Sequence, residues 1–320
     1  MLSNLQKTLE HFAKSYFLGF DLIIFYHAAF KNMHTFTFIF SIMQHADFSW
    51  RTGSDQIKMF GQVWQPLGEP KAVLAVVHGM GEHSGRYRKL AEFFTSHGIA
   101  VISFDQRGHG KSEGKRGHIS HYNQLLEGVE EFIDRANLRF KQKPVILYGH
   151  SMGGNVALNY ALKRPNTIKA VIATGPWLRL AFEPGPFQMK LANIMKNLYP
   201  GFSQASGLNT AHLSRDLAIV KAYERDKYVH DKISASFFTN AYSAGLYALQ
   251  HANELKIPTL VMHGEEDKIT SNPASAEFAE KANLVSEFKS WPSLYHEIHN
   301  EPEREQVLQY ALDWINSKVL

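Results

Sequence analysis

The sequence predicts an α/β protein: a mostly parallel, doubly wound sheet that carries a helical insertion. Three observations lead there. Short, continuous apolar runs, such as "AVLAVV" at Ala72–Val77, lack the polar alternation of a half-exposed strand and suit strands buried on both faces. Stretches with helical spacing alternate with these runs, which is the order of a parallel sheet built from βαβ units. Between Gly175 and Ile257 no buried strand is legible, and helical pieces broken by proline and glycine fill the gap. A chain of 320 residues, 44% apolar and 20% charged, suits one large domain or one domain with an insertion.

In chain order, residues 12–42 are dense in aromatics. The apolar run Tyr16–Phe30 is shorter than the roughly 20 residues of a membrane-spanning helix and contains Asp21. Lys7 and Lys14 make a poor basic start for a signal peptide, and no small-residue cleavage site follows. Domain-like patterning starts at Met43. Residues 1–42 are therefore expected to be an apolar extension, with Met33 and Met43 as alternative starts and the working protein beginning near Met43. "FSWRTGSDQIKMFGQVWQP" reads as two short strands around a Gly-Ser-Asp turn, closed by Pro66. The Ala72–Val77 strand follows, then a helix in "YRKLAEFFTSHG" that stops at Gly98. Next come a strand at Ala100–Phe104, a polar glycine-rich loop, a helix over Tyr122–Phe140 and a strand at Val145–Tyr148. A helix in "NVALNYALKR" precedes further strands in "KAVIATG", in "PTLVMHG" and at Glu287–Trp291. The expected division is a core of residues 43–175 and 252–320, with a helical cap at 176–251. In that cap Leu178, Leu180, Phe182, Phe187, Leu191, Ile194 and Leu198 are apolar. Most should pack the cap onto the core, while some line a pocket beneath it.

Composition removes several function classes. The net charge of +4 comes with no basic stripe and no interleaved aromatics, so nucleic-acid binding is not expected. Weak attraction to anionic lipid surfaces fits that charge. The chain has no cysteine, which excludes disulfides, thiolate catalysis and Cys-based zinc sites. His78, His109, His118 and His121 do not form a zinc-ligand pattern, and no metal or organic cofactor is expected.

Gly-x-Ser-x-Gly occurs twice, as "GHSMG" around Ser151 and "GKSEG" around Ser112. A single match arises by chance in roughly one chain in ten of this size, so its surroundings decide. A nucleophile elbow needs a buried strand before the serine, a helix after it, and glycines that leave room for a strained turn. "VILY" and "NVALNYALKR" supply these for Ser151, whose helix aims amide donors at the reacting centre. Ser112 lies in a polar loop with no helix after it. The same loop fails as a phosphate-binding loop, because Asp105 stands where its first glycine should be.

A serine hydroxyl needs a base and a carboxylate to orient that base. After Ser151, the loop "EEDKIT" offers Glu265, Glu266 and Asp267; Asp267 is placed to turn back toward the sheet, and the two glutamates to face solvent. "YHEIHNE" then offers His296 and His299, of which His296 comes first and is expected to be the base. The oxyanion hole needs two backbone N–H groups. Met152, directly after the serine, should give one, and Met80, in the loop after the first buried strand, the other. His150 is expected to pack or hydrogen-bond rather than act as base.

Together "HGMGEHSGRY", "FDQRGHGKSEG", "GHSMGG", "HGEEDKIT" and "YHEIH" resemble the monoacylglycerol lipase and lysophospholipase group of the α/β-hydrolase fold, from Met43 to the C-terminus. The resemblance implies Ser151, Asp267 and His296 as the triad and Met80 and Met152 as oxyanion donors. It also implies Glu82, Arg86 and His299 around the polar head of a glycerol ester; of the apolar cap residues, Leu178 and Phe182 are expected toward the substrate. The expected partner is a small lipid ester, in a cytoplasmic setting with peripheral membrane contact through the cap. The alternatives are an aminopeptidase or amide hydrolase, which would need an acid such as Glu183 in the cap to hold an amine; a broad carboxylesterase; and a non-catalytic binding module.

Overall fold

The computed structural model describes residues 23–27, 39–164, 167–182 and 184–320, and of 23–27 and 39–42 the backbone alone. The rest of the aromatic-rich segment and Glu183 lie outside the described residues. Among the described residues, no helix is long and apolar enough to cross a membrane.

Among the described residues, the main sheet has nine strands. β1 (Ile23–His27), β2 (Ile39–Arg51) and β3 (Lys58–Pro66) run antiparallel, and β3 pairs antiparallel with β5 (Ile99–Asp105). From β5 onward the order is β4 (Ala72–Val77), β6 (Val145–His150), β7 (Ala170–Thr174), β10 (Thr259–Gly264) and β11 (Ser286–Trp291), all parallel. Every residue of β4, β5, β6, β7 and β10 is buried, as their unbroken apolar runs require. The two faces serve two cores. Val73, Ala75 and Val77 of β4 join the cluster under α2 (Asn123–Arg139), α3 (Met152–Lys163), α6 (Ala235–Gln250) and α7 (Asn272–Lys281). Ala72, Leu74 and Val76 join the one under α1 (Arg88–Ser96) and α8 (Arg304–Lys318).

The chain leaves β4 toward β5 on one side and resumes at β6 on the other. The carboxyl ends of β4 and β6 therefore flank a topological switch point, where open α/β sheets bind ligands. Val77 lies in register with Gly149, so the loop after β4 faces the turn after β6.

The insertion differs from its sequence reading in two ways. It holds a small antiparallel ladder, β8 (Ser203–Ala205) with β9 (Lys232–Ser234), too short to leave a periodic signal. Its last helix, α6, belongs to the core. Phe237, Ala241 and Ala248 are buried there, and Asn155 and Asn159 of α3 donate to the carbonyls of Ala241 (3.1 Å) and Ala244 (3.0 Å). By contrast α4 (Pro186–Leu198) buries no residue, and α5 (Leu217–Arg225) buries only Val220 and Tyr223.

Candidate active site

Ser151 sits between β6 and α3 with φ 54° and ψ −118°, a conformation that costs a non-glycine residue on the order of 1–3 kcal/mol. Its surroundings hold it there. Its N–H donates to the Thr174 carbonyl (2.9 Å), and its carbonyl accepts from Trp177 N–H (3.0 Å). The flanking glycines are required by space. A Cβ on Gly149 would lie 2.3 Å from the Gly153 oxygen, and one on Gly153 would lie 2.0 Å from the Val77 oxygen. The turn after β6 thus packs against the end of β4 without side chains between them. Met152 opens α3, and among the described residues neither its N–H nor that of Met80 has a protein acceptor.

The other Gly-x-Ser-x-Gly serine is committed elsewhere. Ser112 is buried, donates to the Asp105 carbonyl (2.5 Å) and accepts from Phe60 N–H (2.9 Å), fastening the glycine-rich loop to β3.

The loop after β10 places Glu265 and Glu266 in solvent and Asp267 inside. Asp267 Oδ1 accepts from the Ile269 and Thr270 amides (2.7 and 3.0 Å). Oδ2 takes His296 Nδ1 (2.6 Å), His263 Nε2 (2.9 Å) and the Thr270 hydroxyl (2.9 Å). Burial would raise the Asp267 pKa, but the adjoining His296 and His263 hold it well below the usual carboxylate range. Burial would lower the His296 pKa, yet Asp267 keeps it above the ordinary histidine value. His263, which sequence reasoning passed over, orients the carboxylate and is itself set by Ser275 Oγ (2.8 Å). Its signal was its place at the buried end of β10, four residues before Asp267.

Both described hydrogen bonds of the His296 ring are at Nδ1. Among the described residues, Nε2 has no hydrogen-bond partner, and no bond closes between it and the Ser151 hydroxyl. Ser151 and His296 border one cavity of about 750 Å³. Such contacts are often open without substrate and tighten with it. His150 packs 4.7 Å from the His296 ring and bonds to Thr174, and burial holds its pKa well below the usual histidine value.

The residues expected around a polar head group divide. Glu82 borders the cavity. Arg86 and His299 do not reach it. Arg86 stands behind the wall, bonded to Glu82 (2.5 Å) and to both oxygens of Glu297 (2.7 and 2.8 Å). His299 is buried and stacks on Tyr87 at 5.1 Å. The acyl expectations divide too. Phe182 lines the cavity and is largely exposed, whereas Leu178 is fully buried in the core, because the chain leaving β7 stays packed against α6 until Leu180. Leu180, Leu191, Met195 and Phe238 line the apolar wall instead. Among the described residues, no cluster of His, Asp and Glu is arranged to hold a metal ion.

Comparison with known proteins follows the same lines. Residues 68–303 match the family described as serine aminopeptidase, S33. A monoacylglycerol lipase of Mycolicibacterium smegmatis is 32% identical over 267 residues, 83% of this chain and 95% of that protein. An abhydrolase domain-containing protein of Dictyostelium discoideum is 34% identical over 269 residues, and the chain spans only 28% of its length. The solved structure of Paleococcus ferrophilus monoacylglycerol lipase aligns with a TM-score of 0.74 at 32% identity, over 82% of this chain and 99% of that one. With its nine-stranded sheet and its buried Ser151 turn, the chain belongs to the serine aminopeptidase S33 family and is an α/β-hydrolase enzyme.

Proposed function

We propose that the protein is a serine ester hydrolase that cleaves monoacylglycerol or lysophospholipid-type fatty acyl esters. The observation that carries this is the strained Ser151 on the wall of a largely apolar cavity, with His296, held from behind by Asp267, on the same wall. The similarity to monoacylglycerol lipases supports the substrate class.

In this reading Ser151 Oγ attacks the ester carbonyl carbon while His296 Nε2 takes its proton. Asp267 fixes the tautomer that carries the other proton on Nδ1 and stabilises the imidazolium. The Met80 and Met152 amides receive the oxyanion, each such donor being worth roughly 10²–10³ in rate. His296 returns its proton to the leaving glycerol oxygen as the C–O bond breaks. Water, deprotonated by the same nitrogen, then releases the fatty acid and regenerates Ser151.

An aminopeptidase activity, which the family's description names, would need an unpaired carboxylate at the cavity. Among the described residues, the two buried acids that border it, Glu82 and Glu297, are already held by Arg86. That favours the ester.

The segment between Leu180 and His230 acts as the cap, with Phe182 and the apolar side of α4 toward a lipid surface. Phe187 and Leu198 on α4 are 77% and 66% exposed. The deciding experiment measures p-nitrophenyl esters, monoacylglycerol, lysophospholipid and aminoacyl anilides on wild type and Ser151→Ala. Turnover of the lipid esters, lost in the variant, is expected. Preferential turnover of the anilides would overturn the ester reading.

A further inference from the structure

We propose that Glu297, acting through Arg86, is a positioning residue that holds the loop bearing the base in register with the loop bearing the oxyanion donor. The proposal rests on the serine hydrolase reading of Ser151 and His296.

The two carboxylates that share Arg86 come from the two loops whose alignment the chemistry needs. Glu297 directly follows His296. Glu82 lies two residues after Met80, and its Oε1 accepts from the Gly79 N–H at 2.6 Å and from the Tyr87 hydroxyl at 2.7 Å, which fixes the shape of the Met80 turn. Arg86 Nη1 reaches both Glu82 Oε2 and Glu297 Oε1, and Nη2 closes a second bond to Glu297 Oε2. A planar guanidinium with its donors in a rigid fork fixes distance and angle together, which an ammonium cannot do.

The three side chains are 9%, 3% and 2% exposed, so solvent does not loosen the link. Arg86 also lies over the Tyr223 ring at 4.7 Å. Two buried carboxylates on one guanidinium are no device for stability, since a buried ion cluster is often no better than an apolar one. The geometry instead ties the Met80 loop to the His296 loop, across 211 residues of chain. Asn300 Nδ2 donates to Glu297 Oε2 at 2.8 Å and braces the far side.

A strut and a head-group ligand make opposite demands on substrate structure. A ligand for glycerol matters only to glycerol esters and appears in KM. A strut matters to every ester and appears in kcat. Glu297→Gln is the main variant, because it leaves Arg86 and Glu82 as a neutral pair and so keeps the fold. Arg86→Lys, which keeps the charge but not the fork, is the second. Thermal unfolding of each is followed alongside kcat and KM on p-nitrophenyl butyrate and a monoacylglycerol.

Glu297→Gln should lose on the order of 10- to 100-fold in kcat on both esters alike, the cost of a small misplacement of a catalytic group, with KM within about two-fold. Arg86→Lys should fall between it and wild type. The acid limb of kcat/KM should also move to lower pH in Glu297→Gln. His296 lies among Asp267, Glu82, Glu297, His150 and His299, and the variant removes one of the negative charges. A loss confined to monoacylglycerol and carried by KM would overturn the proposal in favour of a head-group ligand. So would variants that turn over both esters like wild type. A wild type that neither reacts with a fluorophosphonate at Ser151 nor cleaves either ester would instead sink the serine hydrolase reading, and the strut with it.

Discussion

Asp267→Asn tests the site at its most connected atom. The two backbone amides at Oδ1 will keep an oxygen there, so the new NH₂ group falls where Oδ2 stood, 2.6 Å from His296 Nδ1. A donor in that place forces His296 to accept at Nδ1 and carry its proton on Nε2. In that tautomer Nε2 cannot take the Ser151 proton. The variant loses one charge-assisted hydrogen bond and must also reverse the preferred tautomer. At about 1.5–3 kcal/mol for each, the total is roughly 3–6 kcal/mol, or about 10² to 10⁴ in kcat. The fold should survive, because Ser275 can rotate its hydroxyl to let His263 change tautomer as well. The assay is kcat on p-nitrophenyl butyrate, with the melting temperature measured on the same sample. Glu266→Gln, in the same loop but in solvent, should match wild type. A kcat for Asp267→Asn within ten-fold of wild type, or an equal loss in Glu266→Gln, would refute the reasoning.

Other predictions follow from the same geometry. His296 must be neutral to act as base and its pKa is raised, so the acid limb of kcat/KM should lie above the ordinary histidine value of about 6.5. The sign for stability is opposite: the His296–Asp267 attraction is fully present below the unfolded histidine pKa and is lost as pH rises through the folded one. An acid limb below 6 would contradict the pairing. Gly153→Ala should destabilise by about 3 kcal/mol and cut activity together, since its Cβ would meet the Val77 and His78 oxygens at 2.0 and 2.6 Å, and backbone atoms cannot turn aside; an unchanged melting curve would argue against that packing. Phe187→Glu with Leu198→Glu should weaken flotation with anionic phospholipid vesicles while leaving turnover of a water-soluble ester within about two-fold. Equal flotation would remove α4 from the membrane reading.

What the sequence made legible was set by how local the signal is. The buried strands could be read because both faces of β4, β6 and β7 are covered, which leaves no polar alternation. Ser151 could be separated from Ser112 because an elbow is defined by its two neighbouring elements. Asp267 could be separated from Glu265 and Glu266 by its place in the turn. Long-range pairing left no such trace. Nothing near Arg86 announces that its charge is used by Glu297, and that pairing is what keeps Arg86 away from the cavity. Leu178 and Leu180 look alike in sequence, and only the packing of α6 decides which of them faces the core. The core role of α6 was hidden for the same reason, since its partners Asn155 and Asn159 lie some 85 residues upstream.

In the proposed reading, the cap descends onto the base. Glu297 N–H donates to the Leu213 carbonyl at 2.8 Å, the Ser214 hydroxyl donates to the Asn300 carbonyl at 3.1 Å, and Arg215 bonds to the buried Glu301. A segment that borders the cavity is therefore also part of the support beneath His296. Cap exchange between related hydrolases is an obvious route to new chain-length selectivity. In this protein such a graft would replace a support of the imidazole along with the pocket wall. Selectivity and turnover would shift together unless residues 212–215 stayed with the recipient.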